Sequence, residues 1–199
     1  MGLLTEGAPS CVDVCGDEVP VNTDWRVWMT VWQVLEDPAF DVSEKAAAVL
    51  TLAYPDGDPF GTAMRSPNDA LEAALRFLRR EQDGIPPRPL TRTERRLRNT
   101  RLFDWEYDAP PIAADFQREY GIDLTDEGTS MHWHRFMALF NGLGDRSQIV
   151  QAISIRAADL GDGRLGKEER SELRERKMAV MLPARTEEEA ACNRRIRGV

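Results

Sequence analysis

The sequence predicts a mainly α-helical protein, with a short N-terminal β-hairpin packed on helices, followed by a second small helical unit. Two observations predict this class. After Asp24, apolar residues recur at helical spacing through most of the chain. Strand-like alternation is confined to residues 12–21. The 199 residues are 42% hydrophobic, which is enough to form a core.

The hairpin is predicted from two alternating segments on either side of a turn. Residues 12–14 and 19–21 flank residues 15–18, which have turn composition. Pro20 has no N–H to donate, so we expect the second strand to be short or at an edge. Two strands are marginally stable alone, so the hairpin should pack on helices.

The first helix is expected to start after a cap at Thr23 or Asp24 and to end before Pro38. Its apolar residues form one stripe, consisting of Trp25, Trp28, Met29, Trp32 and Leu35. Tryptophan is usually a core residue, but it is also enriched at protein interfaces. Three tryptophans in three turns therefore suggest that part of this stripe contacts a partner.

Two more helices are expected in the first half of the chain. One begins at Ser43, and the other opens at Ser66 with Pro67 in its first turn and Gly84 following its end. Both have apolar residues on one face, as amphipathic helices do.

The second half of the chain is helical again. Asp108 should cap a helix that ends at Gly121, and Thr129 or Ser130 should cap a second one. That second helix carries the stripe Trp133, Phe136, Met137 and Phe140. Asp145 is expected to cap a third helix.

The last predicted helix covers residues 167–181 and follows a glycine-rich loop. Its few apolar residues, including Leu173 and Val180, form no broad stripe. Because packing normally supplies most helix stability, we expect it to be peripheral and to serve partner binding or self-association.

Composition divides the chain into four regions. Residues 1–83 hold the hairpin and three helices, and 84–103 form a linker rich in proline and arginine. Residues 104–182 form the C-terminal helical unit, and 183–199 a polar tail.

No catalytic, cofactor or metal site is expected. His132 and His134, the two histidines, lie two positions apart on a predicted helix and should point in different directions. Cys11 and Cys15 supply at most half a zinc site. No phosphate-binding or nucleophile motif is found in the sequence. We therefore expect a protein that is not an enzyme.

Charge and hydropathy argue against two further classes, nucleic-acid-binding proteins and membrane or secreted proteins. The net charge is −8, which disfavours nucleic-acid binding, although residues 84–103 carry a local charge of +5. No apolar run reaches the roughly 18 to 20 residues of a membrane span, and the N-terminus does not resemble a signal peptide. The expected location is the cytoplasm.

From Asp104 to Arg156 the sequence resembles a family of small proteins that long-tailed bacteriophages and prophages encode just upstream of the tape measure gene. These proteins are described as tail-assembly-chaperone-like. The resemblance extends over most of residues 12–182. Its most specific residues are Tyr120-Gly121-Ile122-Asp123-Leu124, His132-Trp133 with Phe136, and Gly142-Leu143. His134 stands where the family tends to have an aromatic residue.

The resemblance implies a non-enzymatic protein that binds the tape measure protein in the bacterial cytoplasm during tail assembly and is absent from the mature virion. The residues expected to bind partners are Trp25, Trp28, Trp32, Trp133, His134, Leu173 and Val180. Two alternatives remain open: a structural neck or tail component of the virion, and a nucleic-acid-binding regulator that uses the arginine-rich linker.

Overall fold

The computed structural model describes residues 7–54, 61, 65–81, 95, 97 and 100–198. It is 57% helical, with eight helices and one two-stranded antiparallel sheet in this part of the chain, so the predicted fold class is confirmed. The elements are β1 Cys11–Val14, β2 Asp17–Pro20, α1 Trp25–Glu36, α2 Val42–Ala53, α3 Pro67–Arg79, α4 Ala109–Tyr120, α5 Trp133–Asn141, α6 Gln148–Ala157, α7 Lys167–Ala179 and α8 Glu187–Arg197.

The described residues form two compact units. The N-terminal unit draws on residues 1–88 and 127–141, and the C-terminal unit on residues 89–126 and 142–199. The linker predicted at 84–103 lies largely outside the described residues.

The hairpin turn is shorter than the sequence predicted. Only Cys15 and Gly16 separate the strands, and both have positive φ, at 56° and 89°. Two-residue turns of this kind match the right-handed twist of the flanking strands. The Oδ1 of Asp13 accepts the N–H of Gly16, which supports the turn.

Local capping explains where the first helices begin. The side chain of Asp24 accepts the N–H of Arg26 and caps α1, as one of the two predicted caps. Helix α2 starts at Val42, one residue before the predicted start, because Asp41 and Glu44 form a capping box.

Residues 127–141 join the N-terminal unit, whereas the sequence placed them with the C-terminal helices. Two backbone hydrogen bonds make this junction, from Trp25 N–H to Met131 O and from Trp133 N–H to Thr23 O. Helix α5 then packs its apolar stripe against α1. The sequence did not predict this arrangement because the stripe of α5 packs against aromatic residues of α1, which lie more than 100 positions earlier in the chain.

In the C-terminal unit, the predicted end of α4 is confirmed: Gly121 is left-handed, at φ 67°, and closes the helix. The cap of α6 is different from the prediction, since Ser147 and not Asp145 is the N-cap residue. The buried carboxylate of Asp115 accepts the N–H groups of Gln148 and Ile149 and satisfies the start of this helix.

Buried ion pairs connect the elements of the C-terminal unit. Arg156 on α6 makes two hydrogen bonds of 2.7 and 2.8 Å to the carboxylate of Asp108, and donates to the carbonyls of Leu102 and Val180. Asp108 is 2% exposed, so this charge depends on Arg156 for its neutralisation.

A second ion-pair group ties the chain's end to the same unit. Asp104 is buried and pairs with Arg101 and Arg185, and Arg101 also pairs with Glu189 on α8. The side chain of Asn193 donates to the carbonyl of Leu182.

The segment 183–199, predicted only as a polar tail, contains helix α8. Helix α7 is mostly exposed, and Lys177 is its one buried residue. The ammonium of Lys177 donates to the carbonyl of Arg156 on α6, at 2.6 Å, so a polar contact anchors this helix. Apolar periodicity does not register polar anchors of this kind.

Candidate functional site

The first two tryptophans predicted to bind partners are core residues. Trp25 stacks on Phe136, with ring centroids 4.9 Å apart, and Trp28 is fully buried against Phe77. The indole N–H of Trp28 donates to the carbonyl of Asn22, at 2.6 Å. Neither ring presents a surface to a partner in this structure.

Trp32 and Trp133 divide between surface and core. Trp133 is fully buried and donates its indole N–H to Leu78 O. Trp32 is half-buried, and its indole N–H reaches the carboxylate of Glu36 on the next turn, at 2.8 Å. Of the four predicted tryptophans, Trp32 therefore has the most surface available.

His134 is partly buried in the N-terminal unit. Its Nε2–H donates to the carbonyl of Phe77, and its ring lies 4.4 Å from the ring of Phe77. Burial lowers the pKa of His134 to about 4. The hydrogen bond to Phe77 O opposes this shift, and the electrostatic effects of His132 and Arg80 add to it. The imidazole is consequently neutral near pH 7.

The two histidines lie closer together than a shared helix would place them. His132 precedes α5, and its ring centroid is 5.2 Å from that of His134. Its Nδ1 accepts the N–H of His134, so its Nε2 carries the proton and donates to Pro9 O. Both rings thus serve to hold the N-terminal segment and α3 against α5.

Leu173 and Val180 belong to the C-terminal unit, where both are partly buried. Leu173 lies on α7, and Val180 is its C-cap residue, whose carbonyl accepts from Arg156. The structure therefore separates the seven predicted partner-binding residues into two groups, five in the N-terminal unit and two in the C-terminal unit.

Four large apolar side chains of the described residues are exposed, and none of them is among the seven predicted partner-binding residues. They are Phe40, Val42, Tyr107 and Met178. Val42 is 86% exposed at the first position of α2, and Tyr107 is 51% exposed ahead of α4. Val42 directly follows the cap Asp41, and Tyr107 lies in a turn whose N–H groups bond to Asp104. An apolar residue beside a capping or turn-forming aspartate is therefore the sequence signal that could have found them.

Tyr107 borders a cavity of about 500 Å³ in the C-terminal unit. The other apolar walls are Met181, Leu182, Pro183, Ala184 and Ala190. Arg194 and Arg197 of α8 also line it. The cavity thus has apolar walls with cationic groups beside them, which suits an apolar side chain flanked by acidic or polar groups.

A second cavity, of about 750 Å³, lies in the N-terminal unit among β1, the end of α3 and α5. Its lining includes Arg76, Phe77, Arg80, His134 and Asp13. Its volume lies within the roughly 300 to 1,000 Å³ of ligand-binding pockets. Of the seven predicted residues, His134 lines this cavity.

The described residues contain neither a cluster of metal ligands nor a membrane-spanning helix. Within residues 7–54, 65–81 and 100–198, no three histidine, cysteine or acidic side chains converge as metal ligands would. Every helix in the part of the chain that the structure describes is too short or too polar to cross a bilayer.

The fold and these cavities define a helical protein of two compact units with a small N-terminal hairpin. The chain belongs to the Bacteriophage Gp15 protein family, whose model matches residues 4–182. No curated protein and no solved structure matches it. The match spans both compact units and ends at Leu182, before α8.

Proposed function

We propose that the protein is a non-enzymatic, tail-assembly-chaperone-like adaptor that binds the tape measure protein of its phage in the cytoplasm of the bacterial host. The observation that carries the proposal is membership of a bacteriophage family over residues 4–182. The proposed action is temporary: the protein covers apolar surface of its partner during assembly and is absent from the mature virion.

The cavity beside Tyr107 is the proposed contact surface for the tape measure protein. Its walls are apolar, and the half-exposed ring of Tyr107 can cover an inserted side chain. Tyrosine contributes large contact area with little conformational freedom to lose, which favours it at interfaces. Met178 and Val180, at the end of α7, extend apolar surface in the same unit.

The buried tryptophans have a supporting role in this proposal. Trp25, Trp28 and Trp133 hold the N-terminal unit together, so their replacement would unfold that unit and say nothing about binding. Trp32 retains exposed surface and stays a candidate contact, as do Leu173 and Val180. Self-association through the same apolar surface is a further expectation.

The test is co-expression of the full chain with the tape measure protein of the same phage, followed by affinity purification of the pair. We expect a stable complex, and we expect Tyr107→Glu to reduce its yield at least tenfold, because a carboxylate would have to be buried. The matched control is Val42→Glu, which adds the same charge at an exposed helix start where acidic residues are tolerated.

Mass spectrometry of purified virions separates this proposal from its main alternative. A chaperone-like protein should be missing from particles that contain the tail-tube subunits, whereas a structural neck or tail component would remain. Failure of the full chain to bind the tape measure protein, or its presence in stoichiometric amounts in virions, would refute the proposal.

A further inference from the structure

Arg80 occupies a backbone position that usually belongs to glycine. It is the C-cap residue of α3, with φ 57° and ψ 36°, and its N–H donates to Phe77 O at 3.0 Å. Left-handed geometry crowds the Cβ of any L-residue, which is why most such positions carry glycine or asparagine. The backbone thus gives no reason for an arginine here.

The guanidinium of Arg80 also lacks an acidic partner among the described residues, although the side chain is partly buried. Its neighbour Arg79 differs, because it pairs with Glu81 at 3.4 Å. Burial lowers the pKa of Arg80, as expected for a cation that loses water without gaining a counter-charge. An anionic group beside it would compensate that loss.

The space for such a group is the 750 Å³ cavity of the N-terminal unit, which Arg80 lines. Ala73 and Ala138, whose side chains are small, and the ring of Phe77 supply apolar wall. His134 also lines it, but its ring donates to Phe77 O and adds no positive charge near pH 7. The cavity therefore combines apolar surface with an uncompensated cation.

The remaining charges indicate which anion fits. Arg76 and Arg79 line the cavity as well, and so do Asp13, Glu18 and Glu81. Arg79 pairs with Glu81, and the carboxylates of Asp13 and Glu18 would repel the multiple charges of a phosphate or a nucleic acid. The net charge of −8 adds to this repulsion. A carboxylate carries one charge, and an arginine can bind it through two parallel hydrogen bonds.

We infer that the cavity is a docking site for an acidic peptide segment of a partner protein, with a glutamate or aspartate carboxylate on Arg80 and an adjacent apolar side chain against Phe77, Ala73 and Ala138. The inference concerns a different unit from the Tyr107 cavity and does not require the tape measure protein as the partner.

An array of decapeptides tests the inference with the full-length protein. Each peptide carries two glutamates at varied positions among leucine and alanine, and has a matched peptide with glutamine in their place. We expect a subset of glutamate peptides to bind at least tenfold more tightly than their glutamine matches, measured for the best pairs by fluorescence anisotropy. Equal binding of the matched peptides, or no binding by either, overturns the inference.

Variants locate the contact. Arg80→Gln should weaken the best glutamate peptide at least tenfold, and Arg80→Lys should retain part of the affinity because lysine cannot form the paired hydrogen bonds. The matched control is Arg135→Gln, which removes the same charge from an exposed position of α5 outside the cavity lining. Unchanged binding by Arg80→Gln, or equal loss in Arg135→Gln, contradicts the assignment.

Arg80→Gly keeps the test decisive if a larger side chain disturbs the fold. Glycine suits the left-handed backbone, so the melting temperature should be equal or higher while peptide binding is lost. A folded Arg80→Gly protein that still binds the peptide overturns the inference. Inorganic phosphate or duplex DNA that binds more tightly than any glutamate peptide overturns the choice of ligand.

Discussion

The two compact units bury different kinds of side chain. The N-terminal unit centres on aromatic rings, with Trp25 stacked on Phe136 and Trp28 against Phe77. The C-terminal unit has its own apolar core but also buries three carboxylates, those of Asp104, Asp108 and Asp115. Each of these carboxylates is bonded to arginine and to backbone N–H groups.

This difference predicts different weaknesses. Burial of aromatic surface is non-directional, so the stability of a well-packed ring cluster does not rest on the geometry of one ion pair. A buried ion pair adds little net stability when intact, but removal of one partner leaves an uncompensated buried charge. The C-terminal unit should therefore depend on single polar contacts in a way that the N-terminal unit does not.

The largest expected effect is the loss of Arg156. Replacement Arg156→Met leaves the buried carboxylate of Asp108 without its cation, which should lower the free energy of unfolding by about 3–5 kcal/mol. Urea denaturation measures it, with Arg135→Met as the exposed control that should change it by less than about 0.5 kcal/mol. A small effect of Arg156→Met would mean that the ion pair is dispensable.

Acid should weaken the N-terminal unit first. The pKa of His134 is lowered to about 4 in the folded state, chiefly by burial, against an ordinary value of 6.5. Between these values the unfolded chain binds more protons, so stability is complete above pH 6.5 and falls as the pH drops towards 4, by at most about 3 kcal/mol. In a Trp105→Phe background, tryptophan fluorescence reports this unit alone, because the other four tryptophans belong to it.

His134→Gln should flatten that pH dependence, since glutamine does not titrate.

The C-terminal unit should respond at lower pH. Burial raises the pKa of Asp104, but N–H groups of Tyr107 and Glu106, and the charges of Arg185 and Arg101, outweigh it and hold the pKa below its usual value. The stability from this carboxylate is present above about pH 4 and is lost below it. Hydrogen exchange that shows the C-terminal unit opening first on acidification would contradict the comparison.

Removal of residues 183–199 should have an intermediate effect. The truncation deletes Arg185 and Glu189, the partners of Asp104 and Arg101, but lets water reach the groups left behind. We expect a loss of about 2 kcal/mol in the free energy of unfolding. The double replacement of Arg185 and Glu189 by glutamine in the full chain should reproduce most of it. An unchanged melting temperature would show that these ion pairs do not stabilise the unit.

The smallest effect should come from an exposed ion pair of the same unit. Arg194 and Glu187 on α8 are 2.6 Å apart, with 52% and 81% of their side chains exposed. Glu187→Gln should change the free energy of unfolding by less than about 1 kcal/mol, because water solvates both partners. A loss as large as that of Arg156→Met would show that burial does not decide the strength of these pairs.

Most of the helices were predictable because their signals are local. The cap at Asp24 and the left-handed Gly121 act within a few residues, and their chemistry does not depend on the rest of the fold. Asp108 stands at the N-cap position of α4, but its carboxylate makes no capping hydrogen bond to that helix and pairs with Arg156 instead. The helix that carries the predicted apolar stripe is present as α1. Its periodicity alone did not tell whether Trp28 faces a core or a partner, and the structure places it in the core.

The sites were less predictable than the helices. The exposure of Tyr107 and the isolation of the Arg80 charge both depend on which neighbours surround a side chain, and no local pattern encodes that. The predicted interface residues were chosen as the largest aromatic rings, which are also the best core residues.

The sequence by itself determined the helical class, the hairpin and most helix ends, because periodicity and capping are properties of neighbouring residues. Only the tertiary structure decided that residues 127–141 complete the N-terminal unit, that Asp115 caps α6 and that Glu189 anchors α8. Each of these depends on contacts across dozens of residues, whose geometry is set when the units pack.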